Sequence, residues 1–104
     1  MNFDINAALN DMLMAMKDSV DADWGDVEGY AKQVLENEKE ALANLAEQRL
    51  RGEITEEDLK SELEDEKDTV EAEMKAIQVM TKAMAQRAAN AAMNALFNAV
   101  KVAL

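Results

Sequence analysis

The chain has 104 residues, a net charge of −11, and no Cys, His or Pro. Those absences remove disulfides, thiol chemistry, Cys- and His-based metal sites and the usual general base near neutral pH. One domain with a modest core is expected at this length, and 49% hydrophobic content with 4% aromatics and three Gly favours a few long helices over a sheet.

Charge is unevenly distributed. Residues 1–74 hold all 22 acids and seven bases; residues 75–104 hold Lys75, Lys82, Arg87 and Lys101 and no acid. Such an acidic chain repels nucleic acid, and its basic end lacks the density and interleaved aromatics of a nucleic-acid face. No N-terminal basic-then-apolar pattern marks a signal peptide, and no run of about 18 uncharged apolar residues predicts a membrane span. A cytoplasmic location is the default expectation.

The first predicted helix covers residues 4–20. Asp4 is its N-cap, and Ile5, Ala8, Leu9, Met12, Leu13, Met16 and Val20 share one face at spacings of three and four. The pattern breaks over residues 21–25, where Asp21 or Asp23 can cap the next helix and the single Trp, Trp24, plugs the joint. The second helix covers 24–51, with a stripe of Val27, Tyr30, Ala31, Val34, Leu35, Ala41, Leu42 and Leu45. Glu28/Lys32 and Glu47/Arg51 are i,i+4 pairs worth about 0.2–0.5 kcal/mol each.

Arg51-Gly52-Glu53-Ile54-Thr55 is the clearest turn. Gly52 suits the left-handed position after a helix, and Thr55 suits the N-cap of the next, with Glu56, Glu57 and Asp58 at the favourable end of its dipole. So short a connection makes the flanking helices antiparallel neighbours.

From Thr55 onward neither Gly nor Pro interrupts the chain, and the periodicity predicts one helix over 56–104. Leu63, Val70, Ile77, Met84 and Ala91 recur every seven residues, accompanied by Met74, Thr81, Ala88, Ala95 and Val102. That is a coiled-coil type seam. Ala89, Met93, Leu96, Phe97, Val100 and Leu104 form a second apolar face on the tail. A helix apolar on two sides needs two partners, and with the first two helices laid end to end along it, one tail face stays uncovered.

The expected fold is therefore all-α: a long antiparallel helical hairpin plus a shorter N-terminal helix, coiled-coil-like, assembling into an oligomeric bundle, most simply a homodimer. Its expected interface is Met74, Ile77, Met84, Ala88, Ala91, Met93, Ala95, Leu96, Phe97 and Val100. The functional expectation is a non-enzymatic structural or interaction protein that self-associates through this Met/Ala-rich helix or docks a helical partner, with no catalytic residue, metal or cofactor.

One alternative is a carboxylate metal-binding bundle. Glu38 sits in the second helix's stripe, and Glu66 and Glu73 take stripe positions in the third. The tight turn places Glu38 opposite Glu66 to Val70. Without His, only an all-oxygen site for Mg²⁺, Mn²⁺ or Ca²⁺ is open. The plainer account has these carboxylates at the seam edge, paired with Lys67, Lys39 or Arg49. If they are buried without a cation, one or more should hold a proton. A peripheral membrane role is a further alternative, weakened because the tail's polar face carries Asn and Gln more than Lys.

Overall fold

The computed structural model describes residues 3–20, 24–77 and 80–104. Among them are four helices: α1 (Ile5–Ser19), α2 (Trp24–Leu50), α3 (Glu56–Lys75) and α4 (Lys82–Ala103). The first two match expectation within a residue or so. The third does not. A straight helix over 56–104 would be about 74 Å long, whereas the molecule's longest extent is 40 Å. The chain turns back between α3 and α4.

The turn has a local cause. The backbone N–H groups of Ala76 and Ile77 donate to the carbonyls of Glu73 and Met74, the tightened i→i−3 pattern of a helix end. Thr81 is extended, at φ −82° and ψ 164°, and its Oγ1 accepts from the N–H of Met84 at 3.1 Å. Thr81, expected in the seam, is thus the N-cap of α4, a role that Ser, Thr, Asn and Asp fill because a short side-chain oxygen can satisfy an orphan amide. Lys75 sits in the last turn of α3, where a cation suits the dipole.

The other helix ends follow the sequence. Asp4 Oδ1 accepts from the N–H of Asn6 at 2.9 Å. Gly52 has φ +77°, and the N–H groups of Gly52 and Glu53 donate to the carbonyls of Arg49 and Gln48, a Schellman closure. Thr55 and Asp58 form a reciprocal capping box with bonds of 3.1 and 3.0 Å. The caps expected at Asp21 or Asp23 lie outside the described residues. Thr55→Ala and Thr81→Ala should each lower stability by about 1 kcal/mol. Urea melts check this, and an unchanged midpoint for Thr81→Ala would argue for an uninterrupted helix there.

Each helix packs on its neighbours in chain order, and α1 closes the ring against α4. The α1–α4 contact is antiparallel: Arg87, early in α4, donates through Nε to the carbonyl of Ser19 at the end of α1, at 3.1 Å. The result is an up-down-up-down bundle of 40 × 22 × 19 Å whose radius of gyration is 13.1 Å. About 13 Å is the value for a compact chain of this length. All four helices feed one core, with Met12, Met16, Val27, Leu42, Leu59, Val70, Met74, Leu96 and Val100 among its innermost side chains.

This closure resolves the two-faced tail. One face of α4 meets α3 and the other meets α1, so a single chain covers both. Ala85, Ala88, Ala89 and Ala92 are fully buried, and side chains that small let helix axes approach closely. The expectation that one chain would expose Met93, Phe97 and Val100 is overturned: Met93 and Val100 are buried and Phe97 is half-buried. On α2, Tyr30 and Ala41 fall outside the buried stripe, and Ala46 joins it.

Candidate functional site

Two places on the bundle carry features that packing alone does not use. The first is the carboxylate cluster between α2 and α3. Antiparallel packing brings Glu38 to both Glu66 and Glu73, which lie two helical turns apart on α3. The Glu66 carboxyl is held above its ordinary range, first by burial, then by a hydrogen bond with Glu38, then by the charges of Glu38, Glu62 and Asp65. Glu73 is raised by burial, then by the charge of Glu38 and a hydrogen bond with it. Both shifts have the same physical origin: partial burial next to a like charge disfavours the ionised form.

Of the expected cationic partners, Lys67 is engaged by another carboxylate. Lys67 Nζ pairs with Glu64 at 2.9 Å. None of the ion pairs among the described residues reaches Glu38, Glu66 or Glu73. One oxygen each of Glu66 and Glu73, and Nε of Arg49, are buried without a hydrogen-bond partner. No group of three or more such side chains among the described residues is arranged to hold a metal ion.

The cluster has a pH signature. Because the folded-state values of Glu66 and Glu73 are raised, the folded protein binds protons more tightly than the unfolded chain. That contribution is fully present below the ordinary Glu value and is lost as pH rises through the raised values. Glu66→Gln, which keeps the shape and offers Glu38 a donor, should therefore stabilise the protein at pH 7 by about 0.5–1 kcal/mol, the scale of a partly solvated charge interaction. The gain should vanish near pH 4. Paired urea melts at the two pH values measure it, and a loss of stability at pH 7 would mean the carboxylate has a favourable partner.

The second place is the outer edge of the α1–α4 pair. An open groove of about 730 Å³ runs there, lined by Phe3, Ala7, Ala95 and Val102, with Asp4 and Asp11 also on its α1 wall. Val102 is 88% exposed and Met14, on the same side of α1, is 65% exposed.

The ten residues expected at an oligomer interface divide between core and edge. Met74, Ile77, Ala88, Met93, Leu96 and Val100 are buried in the chain's own core. Phe97 is half-buried toward α3, with Lys60 Nζ 5.8 Å from its ring centroid, a cation–π contact. Met84, Ala91 and Ala95 are half-buried along the edge of α4 that borders α1. Ala7, Met14 and Asn98 are not among those ten; of these, Met14 carries a signal in the sequence, because it stands off the apolar stripe of α1, where a large apolar side chain has no core to enter.

Trp24 is half-buried against the core, and its Nε1 donates to Glu28 at 3.0 Å, replacing the expected Glu28/Lys32 pair; Glu47/Arg51 is present at 3.2 Å. No helix among the described residues is long and apolar enough to cross a membrane. Comparison with known protein families, with curated proteins and with solved structures finds no match.

Proposed function

We propose that this chain is a non-enzymatic helical protein that works by self-association through its Met/Ala-rich C-terminal helix, two bundles joining side by side as a homodimer. The observation that supports this is the α1–α4 edge. It keeps a mainly apolar groove open, edged by Asp4 and Asp11, where the other apolar stripes are spent on the core. Exposed Val102 and Met14 beside half-buried Met84, Ala91 and Ala95 give that edge an apolar strip, and such strips on a small domain mark association surfaces. Light scattering at tens of micromolar should return twice the chain mass of 11.5 kDa. A constant single-chain mass over that range would remove the reading.

A further inference from the structure

Charge selects both the face that a second copy can occupy and the way it sits. The inference rests on the self-association just proposed and adds its geometry. Helix α3 carries ten acids against three bases, and α2 six against three. That side of one bundle repels the same side of another. Helix α4 carries Lys82, Arg87 and Lys101 and no acid, while α1 and its cap carry Asp4, Asp11 and Asp18 against Lys17. The α1–α4 side is thus close to neutral and internally of two signs. It is where two copies of so acidic a chain meet without net repulsion.

An isologous pair of these faces can be built about two axes. An axis across the helices sets α4 on α4 and α1 on α1, base against base and acid against acid. An axis along the bundle sets α1 of each copy over α4 of the other. It also preserves height along the bundle, and the chain itself shows which heights match: Ser19 is level with Arg87 through their 3.1 Å bond. Asp4 lies with Val102 and Ala103 at the other end of the groove. The second axis therefore brings Asp18 level with Arg87 of the partner subunit, and Asp4 level with Lys101 of the partner subunit. Between these ends lie Ala7, Asp11 and Met14 on α1 and Ala91, Ala95 and Asn98 on α4. The face is large enough: about 33 Å of α4 by the 22 Å width of the bundle bounds the contact at about 700 Å² a side, the order of a standard interface.

We infer that the α1–α4 groove is the dimer seam, occupied by a second copy about a two-fold axis along the bundle, α1 of each copy seated on α4 of the other. Met14→Glu and Val102→Glu place a charge at exposed positions, so the fold survives, checked by an unchanged thermal midpoint. Each should weaken dimerisation at least tenfold by sedimentation equilibrium, while Tyr30→Glu on α2, 62% exposed, leaves it unchanged.

Orientation is read separately. The chain has no Cys, so Ala7→Cys and Asn98→Cys variants can be mixed and treated with a short bismaleimide. Crosslinking of Ala7→Cys with Asn98→Cys should outpace either variant with itself. A dimer that persists in Met14→Glu and Val102→Glu overturns the seam but not self-association. A dimer in which like variants crosslink fastest overturns the axis. A monomeric wild-type chain overturns the self-association reading and the seam with it.

Discussion

Leu96→Ala is expected to destabilise the bundle by about 2–5 kcal/mol, the cost of removing a buried Leu and leaving a cavity. Leu96 is 1% exposed. It lies on α4, which packs against α1, α3 and, more lightly, α2. Its surroundings are held from several directions and cannot collapse freely into the space. In a domain of this size the thermal midpoint should fall by about 4–8 °C for each kcal/mol. Denaturant melts of the isolated chain, at concentrations where it is monomeric, measure the effect. The experiment also separates two architectures. On the far half of a straight 49-residue helix, Leu96 would sit on an uncovered arm in the monomer, and truncation would cost little. A loss under about 0.5 kcal/mol, the range of surface substitutions, would contradict the closed bundle.

Ala92→Leu should act in the opposite physical sense with a comparable direction of effect. Ala92 is fully buried at mid-helix in a run of small residues, with Ala85, Ala88 and Ala89 one to two turns before it. The added side-chain atoms have no room unless α4 moves off its neighbours, and overpacking of this kind costs about 1–3 kcal/mol. Ala83→Leu, on the exposed face of the same helix, controls for helix propensity and should change stability by less than about 0.5 kcal/mol. If Ala92→Leu were neutral, the small residues of α4 would not be setting helix–helix distance.

Much of the bundle was legible in the residues because the relevant interactions are local. Gly52, Thr55 and Asp58 close and open helices through bonds spanning a few residues, so the α2–α3 turn could be read directly. The stripes of α1 and of most of α2 followed from spacing. The meeting of Glu38 with Glu66 and Glu73 followed from the turn as well, because a short connection fixes which residues stand opposite. The raised carboxyl pKa of Glu66 and Glu73 follows from partial burial beside Glu38, and that too needed only the register.

The break after Lys75 was missed for a physical reason. Helix ends without Gly or Pro depend on small preferences that periodicity conceals. Ile77, Val79 and Thr81 are β-branched and weak in helices; Thr81 is a good cap; and the charge changes sign at the same place. Each signal is small beside an apolar repeat that continues in phase across the turn. The repeat continues because both α3 and α4 must face the same core.

By itself the sequence determined an all-helical chain, the caps at Asp4, Gly52 and Thr55, the apolar faces, and the convergence of carboxylates on α2 and α3. These rest on bonds and spacings within one helix or across one turn. Only the tertiary structure decided that the two faces of α4 are covered by α1 and α3 of the same chain, and that the surface left over is the α1–α4 edge. The choice between covering an apolar face from within and covering it with a second chain depends on whether the backbone reverses between α3 and α4. That reversal is stabilised by the contacts α4 makes only after it has folded back, between residues as far apart as Ser19 and Arg87.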